Sequence, residues 1–173
     1  SGWTDTDGDG YVDKNGEKLS INWLTYPTRL EQPKLAEYAQ ATLKDIGIDV
    51  QVNNTSDHRT FAENGDFDVY VSSTTTAPTG DPEYFFTSTV VGSKNYGKYQ
   101  NEEVTKLTEK LHQTFDKDER GKIAVELQQD ILDDDAFFFV SHLNMGIVTK
   151  SNVTGMAAHP CDYYEITADL DVE

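Results

Sequence analysis

The first half of the chain alternates between two hydrophobic periods. Apolar and polar side chains alternate in three short runs, which predicts β-strands over residues 19–24, 48–52 and 67–71. Between the first two runs, helical spacing predicts a helix that begins near Pro33, ends at Gly47 and has an apolar stripe of Leu35, Tyr38, Ala39, Thr42 and Ile46. A shorter helix is predicted around residues 57–63. This order of strands and helices is typical of a parallel sheet with right-handed crossovers, so the predicted fold class is α/β.

The second half of the chain is predicted to be mainly helical. One helix has Asn101 as its N-cap, and another begins near Asp116 or Asp118. Their apolar stripes comprise Val104, Leu107, Leu111 and Phe115 in the first helix, and Ile123, Leu127 and Ile131 in the second. The apolar run over residues 136–140 predicts a buried strand, with residues 147–149 as its neighbour.

The whole chain is predicted to form one domain, whose binding residues follow from its topology. Residues 1–18 form a turn-rich hairpin, residues 19–157 the α/β core, and residues 158–173 a tail. In open α/β sheets the ligand crevice lies beyond the carboxyl ends of the strands. Two hydroxyl-rich loops follow such ends, over residues 25–29 and 72–81. The candidate ligand-binding residues of the predicted crevice are Tyr26, Arg29, Thr74, Thr75, Thr76, Thr79 and Tyr84.

Charge and composition exclude several classes of protein. The 173 residues include 31 acidic and 14 basic side chains, which give a formal net charge of -17. Such an acidic surface repels nucleic acid and anionic lipid, because binding to either begins with the neutralisation of phosphates. The single cysteine, Cys161, excludes an internal disulfide and a cysteine-rich zinc site. The sequence contains no glycine-rich phosphate loop and no nucleophile elbow, so no enzymatic motif is indicated.

An acidic segment near the start of the chain partly matches a calcium-binding loop. Its candidate metal ligands are Asp5, Asp7, Asp9 and Asp13, which alternate as carboxylates do when they converge on one cation. The twelfth position of such a loop holds a bidentate glutamate, but here it is Gly16. The sequence therefore predicts a structural turn that binds calcium weakly at most.

The four histidines do not form a recognisable metal site. They lie at unrelated spacings, and none makes the paired arrangement of a helical zinc site. His112 lies on a charged helix and is predicted to be solvated. His159 lies in an aromatic-rich loop and is a further candidate ligand-binding residue.

Short motifs occur in order along nearly the whole chain. They include Gly2-Trp3-Thr4-Asp5-Thr6-Asp7-Gly8-Asp9-Gly10, Leu24-Thr25-Tyr26-Pro27, Gly65-Asp66-Phe67-Asp68-Val69, Gly80-Asp81-Pro82 and Asn95-Tyr96-Gly97. Further matches lie at residues 15–19, 43–48, 101, 137–141 and 148–150. Each motif is weak alone, but the ordered set resembles the peptide- and nickel-binding proteins of ABC importers, family 5 of the extracytoplasmic solute-binding proteins.

This resemblance implies a larger, two-lobed protein that closes on a ligand. The chain would supply most of the C-terminal lobe, a type II periplasmic-binding-protein lobe with a mostly parallel sheet flanked by helices. The N-terminal lobe would precede Ser1, and the tail after about His159 would return towards it. The implied partner is an ABC permease, the implied location is the periplasm or the cell surface as a lipoprotein, and no cofactor is required for this non-enzymatic role.

The resemblance also divides the candidate ligands. Peptide-binding members usually carry an aspartate in the loop after the third strand, where it pairs with the peptide ammonium, but this chain has Pro78 in that place. The Ala-Pro pair and the tail that begins at His159 resemble the nickel-binding branch. The segment over residues 92–95 lacks the histidine of some nickel binders, so a nickel chelate is expected in preference to directly bound nickel. A di- or oligopeptide receptor is the alternative, and a calcium-binding adhesion module is a distant third.

Overall fold

A computed structural model describes residues 2–74, 77, 79–144, 146–157 and 166–172. The chain divides into two compact units, Ser1–Ser73 and Thr74–Glu173. Across the described ranges, no helix combines the length and the apolar character that a membrane crossing requires.

A parallel three-stranded sheet forms the centre of the first unit. The chain runs through a hairpin of β1 (Asp13–Lys14) and β2 (Glu17–Lys18), and then β3 (Ser20–Thr25), α1 (Glu31–Lys44), β4 (Asp49–Asn54), α2 (His58–Asn64) and β5 (Val69–Tyr70). The sheet order is β4-β3-β5, and β3 pairs in parallel with both neighbours. The strands and helices predicted for the first half of the chain, and the α/β class, are therefore confirmed.

The two crossovers place the helices on opposite faces of this sheet. The first crossover moves from β3 to β4, and the second moves the opposite way, from β4 past β3 to β5. Because both connections are expected to be right-handed, their helices must cover opposite faces of the sheet. Side chains alternate along a strand, and Tyr70 contacts His58 of α2. Leu24, the register partner of Tyr70, shares that face, whereas Trp23 and Thr25 lie on the face of α1.

The hairpin of β1 and β2 turns at Asn15-Gly16. Both residues have positive φ, 56° at Asn15 and 82° at Gly16, which is the backbone that a two-residue type I′ turn requires. Asparagine followed by glycine adopts this backbone at low cost. Residues 13–18 of the turn-rich start therefore form a hairpin.

The predicted apolar stripe of α1 is wrong in part. The helix buries Gln32 and Ala36, whereas Tyr38 is 71% exposed and Ile46 is also exposed. Tyr38 is two residues from Ala36, about 200° around the helix, so its side chain lies on the opposite side. Ile46 lies beyond the last helical residue, Lys44, and does not continue the stripe.

A helical pair forms the core of the second unit. The elements are α3 (Glu83–Phe85), a π-helical turn (Phe86–Val90), α4 (Glu102–Gln113) and α5 (Lys117–Asp133), with a ribbon of β6 (Val153–Thr154) and β7 (Asp171–Val172). The core cluster comprises Phe86, Val90, Val104, Leu107, Leu111, Ile123, Ala124, Leu127 and Ile131. Phe115 is not part of it and is 92% exposed, because α4 ends at Gln113. The ribbon and the segment over residues 83–90 were not predicted.

The strands predicted over residues 136–140 and 147–149 are wrong. Both segments are irregular, and neither pairs with a strand within the described ranges. A strand exists only where a neighbour bonds its N–H and C=O groups, which an apolar run alone does not provide. Phe137 instead packs edge-on against Phe85 and Tyr99, whereas Phe138 is 89% exposed.

The start of α4 is held by the predicted cap. The Asn101 side-chain oxygen accepts hydrogen bonds from the N–H groups of Glu103 and Val104, and its amide donates to Asp134 at 2.7 Å. Asp116 accepts from the N–H of Glu119 at the start of α5. Both predicted helix starts are confirmed.

Replacement of the cap should destabilise the second unit. In Asn101→Ala the two N–H groups lose their side-chain acceptor, and we expect the free energy of unfolding to fall by about 1–2 kcal/mol. Urea denaturation of the purified chain measures this change. Gln100→Ala is the matched control, because Gln100 is exposed and precedes the cap directly. Equal stability of the two variants would contradict the role assigned to Asn101.

Candidate functional site

Three aromatic rings meet at the carboxyl edge of the parallel sheet in the first unit. Tyr26 follows β3, His58 begins α2 after β4, and Tyr70 ends β5. The ring of Tyr26 stacks on that of His58, with centroids 4.1 Å apart and planes inclined by 21°. Nδ1 of His58 lies 2.7 Å from the hydroxyl oxygen of Tyr70. Parallel strands end at one edge, so three distant segments contribute to one cluster, named here the aromatic edge.

The aromatic edge is hydrogen-bonded to the backbone of the loop that follows β5. The hydroxyl oxygen of Tyr26 accepts a hydrogen bond from the N–H of Ser73 at 3.1 Å. Tyr26 is only 7% exposed, so its ring is a wall of the edge and presents little surface to solvent. Of the predicted ligand-binding residues, Tyr26 is the one that this cluster contains.

The surroundings of His58 favour its neutral form. Burial lowers the pKa of His58, the positive charge of Arg59 lowers it further, and Asp57 opposes both effects. The neutral ring stacks on Tyr26 and bonds Tyr70 through Nδ1. Its other nitrogen, Nε2, has no hydrogen-bond partner among the residues that the structure describes. Sequence inspection missed His58 and Tyr70, although both lie at the carboxyl end of a predicted strand or just beyond one.

Buried polar atoms without partners lie on the α1 face of the same sheet. Within the described part of the chain, Trp23 Nε1, Thr25 Oγ1, Glu31 Oε1 and Gln32 Oε1 are buried and form no hydrogen bond. An unsatisfied buried polar group costs about 1–3 kcal/mol unless water or a ligand group bonds it. No sequence pattern predicted this set, because burial of a glutamine or threonine depends on tertiary packing.

Among the remaining predicted binding residues, the structure describes Arg29, Thr74, Thr79 and Tyr84. Arg29 is exposed in the loop after β3. Thr74 and Thr79 are exposed residues of the second unit, and Tyr84 of α3 accepts a hydrogen bond from the ammonium of Lys94 at 3.2 Å. The other residues singled out from the sequence, Thr75, Thr76, Pro78 and His159, lie outside the described residues.

Asp81 is neutralised by an internal arginine. Both Asp81 carboxylate oxygens accept from Arg120 at 2.8 Å, and one of them also accepts from the N–H of Glu83. Arg120 also donates to the carbonyl oxygens of Leu111 and Thr114, and its side chain is 14% exposed. The prediction that Asp81 braces its own turn is confirmed, and its charge is already paired within the second unit.

Glu83 joins this ion network from the start of α3. It accepts from Arg120 at 3.0 Å, and its other oxygen lies 2.6 Å from Nδ1 of His112. Hydrogen bonds from His112 and then from Arg120 lower the pKa of Glu83, while burial opposes them. His112 is exposed, as predicted, but it is also bonded to a carboxylate. The network fixes the loop before α3 to the ends of α4 and α5.

Three of the four predicted metal ligands come together in the acidic loop. Asp5, Asp7 and Asp13 each offer a carboxylate oxygen within 4.8 Å of the others. Asp9 is not part of this group, because its carboxylate lies 2.6 Å from the ammonium of Lys18. Asp5 accepts from the N–H groups of two loop glycines, and Asp13 accepts from the N–H and hydroxyl of Thr6. The loop is therefore closed by its own hydrogen bonds.

The chain matches a known protein family over more than half of its length. A family model described as bacterial extracellular solute-binding proteins, family 5 Middle, matches residues 1–97, more than half of the 173 residues. The chain belongs to this family. The expectation drawn from its ordered motifs is therefore confirmed.

Individual relatives of this family 5 chain include proteins with different printed ligands. The oligopeptide-binding protein AppA of Bacillus subtilis is 29% identical over 96% of the chain and 32% of its own length. The nickel-binding protein NikA of Staphylococcus aureus is 26% identical over 95% of the chain and 34% of its own length. The family 5 chain thus spans about a third of these curated relatives.

Solved structures show the same fold. AppA in complex with a nonapeptide has a TM-score of 0.63 at 29% identity, covering 78% of this chain and 28% of its own. NikA of Staphylococcus aureus in complex with Ni(L-His)2 has a TM-score of 0.61 at 30% identity, covering 64% and 24%. The family 5 chain therefore has the α/β fold of type II binding proteins, as predicted.

The ion network should make the stability of the family 5 chain depend on pH. The folded-state pKa of Glu83 is below its ordinary value of 4.5, so its contribution is present above that value and is lost as pH falls through the folded pKa. We expect Glu83→Gln to flatten the fall in melting temperature between about pH 5 and 3. Glu109→Gln, an exposed change on α4, is the control and should keep the wild-type slope. Parallel slopes for all three proteins would contradict the assignment.

Proposed function

We propose that the whole protein is the solute-binding component of an ABC importer, and that its solute is nickel held in a small-molecule chelate. Membership of family 5 supports the general role. The specific ligand is supported by the state of Asp81, because the carboxylate of the loop after β5 is paired with Arg120. A peptide ammonium needs a free carboxylate, whereas a neutral or anionic chelate does not.

The aromatic edge suits such a chelate. It offers stacked neutral rings and a histidine nitrogen without a partner among the described residues. Planar rings bind flat ligand groups by stacking, and an imidazole can bond a carboxylate oxygen. NikA of Staphylococcus aureus, whose structure holds Ni(L-His)2, gives a precedent within the family.

A di- or oligopeptide receptor is the second candidate. The observation that favours it is the 29% identity with AppA over 96% of the chain, since the structure of AppA holds a nonapeptide. Under this alternative the peptide ammonium would pair with a carboxylate elsewhere than Asp81. Binding measurements on the two ligand classes therefore decide between the candidates.

The proposed role sets the location and partners of the protein. It would act outside the cytoplasm, in the periplasm or at the cell surface as a lipoprotein, and would deliver its solute to the permease without catalysis. This chain would form most of the C-terminal lobe, with an N-terminal lobe of the same protein completing the cleft. An acidic surface gives no support to nucleic acid as a partner.

Calcium is proposed only as a weak structural ion of the acidic loop, and an adhesion role remains the least supported candidate. Asp5, Asp7 and Asp13 could supply carboxylate ligands. Their existing hydrogen bonds to the loop reduce what an ion would add.

The ligand proposal predicts a clear preference. We expect the full-length protein to bind nickel with L-histidine more tightly than any member of a metal-free dipeptide library, measured by titration calorimetry. The physical reason is that Pro78 and the paired Asp81 leave this loop without a free carboxylate for an ammonium group. Tight metal-free dipeptide binding without a response to nickel and histidine would promote the peptide alternative.

The acidic loop predicts weak calcium binding. We expect a dissociation constant in the range of about 10⁻⁴–10⁻³ M, because the bidentate twelfth ligand is absent. Asp7→Asn should abolish binding, whereas Asp9→Asn should not, because Asp9 is paired with Lys18. Melting curves over a calcium series provide the measurement. A shift in melting temperature at micromolar calcium would contradict this assignment. Loss of calcium binding in Asp9→Asn would contradict it as well.

A further inference from the structure

We propose that His58 contacts the bound solute, donating a hydrogen bond from Nε2–H to a carboxylate oxygen of that solute. The inference rests on the proposed function and adds to it the group by which the first unit recognises an anionic end. That end is the carboxylate of a chelating amino acid or of a peptide. His58 was not among the binding residues predicted from the sequence.

The position of His58 supports this role. It begins α2 directly beyond β4, at the carboxyl edge where ligands of open α/β sheets bind. The ring is only half-buried, so it combines packing with access. Nε2 has no hydrogen-bond partner in the described ranges, and it is not among their fully buried unpaired atoms. It is therefore available to a solute.

The ring is also fixed before any solute binds. Tyr26 stacks on one face of His58, and Tyr70 bonds Nδ1 at 2.7 Å. Tyr26 is itself tied to the N–H of Ser73. A group that is already immobilised loses little conformational entropy on binding, so one hydrogen bond contributes more of its strength to affinity.

The bond to Tyr70 determines which nitrogen carries the proton. A phenol is a better proton donor than acceptor, whereas the unprotonated nitrogen of a neutral imidazole is a good acceptor. The favourable arrangement has the Tyr70 hydroxyl donating to Nδ1, which leaves the proton of the neutral ring on Nε2. The available atom is then a donor, and donors select carboxylate or carbonyl oxygen.

Two amide substitutions of His58 separate recognition from structure. The amide of glutamine can replace the Nε2 donor, whereas the shorter amide of asparagine reaches only the place of Nδ1. In the full-length protein we expect His58→Asn to weaken binding about tenfold or more, and His58→Gln to stay within about threefold of wild type. Titration calorimetry is run with nickel plus L-histidine, with nickel alone, and with a dipeptide library.

The three probes distinguish the sources of the carboxylate. If His58→Asn loses affinity for nickel plus L-histidine, the carboxylate belongs to a chelator. If it loses affinity for dipeptides, the carboxylate belongs to a peptide. Either result supports the proposal. Loss with nickel alone would show that His58 ligates metal directly and would overturn it. His142→Asn, at an exposed histidine outside the ion network, is the control and should bind as wild type does.

A spectroscopic measurement is independent of the variants. Two-bond proton–nitrogen correlation spectra of the wild-type protein report which ring nitrogen of His58 is protonated. We expect a proton on Nε2, with its resonance moving when solute binds, and a proton on Nδ1 would overturn the proposal. If His58→Asn bound its solute as tightly as the wild type does, the proposal would also be overturned. A wild-type protein that bound none of the probes would refute the proposed function as well, so the two failures are distinguishable.

Discussion

Parallel pairing of β3 with both of its neighbours is the constraint on which the first unit depends. Trp23 lies opposite Val52 on one side and Val69 on the other. Both pairings are parallel, so all three strands run in one direction. Parallel strands must be joined by crossovers, and each crossover here is a helix. The same geometry carries residues 26, 58 and 70 to one edge, although 44 positions separate the first from the last. The aromatic edge therefore follows from strand direction as much as from side-chain chemistry.

Local periodicity predicted the elements whose partners lie nearby in the sequence. The strands around Trp23 and Val50 alternate clearly, and the caps at Asn101 and Asp116 have side chains that bond N–H groups within three residues. It failed where the outcome depends on distant partners. Residues 136–140 are apolar enough for a strand, but they find no strand to pair with in the described ranges.

The candidate binding residues show the same division. Tyr26 was predicted because it directly follows an evident strand, and it does line the aromatic edge. His58 was missed because its role depends on contacts with Tyr26 and Tyr70, which the sequence separates by 32 and 12 positions. The pairing of Asp81 with Arg120 was equally hidden, since the two residues are 39 positions apart. Such contacts follow from the assembled fold and not from any local pattern.

The separate origin of the three rings has a consequence for mutagenesis. The backbone hydrogen bonds that hold the sheet do not involve the side chains of Tyr26, His58 or Tyr70. A side chain at any of these positions can therefore be replaced without the loss of a backbone hydrogen bond of the sheet, whereas replacement of the buried Tyr26 also removes packing against His58.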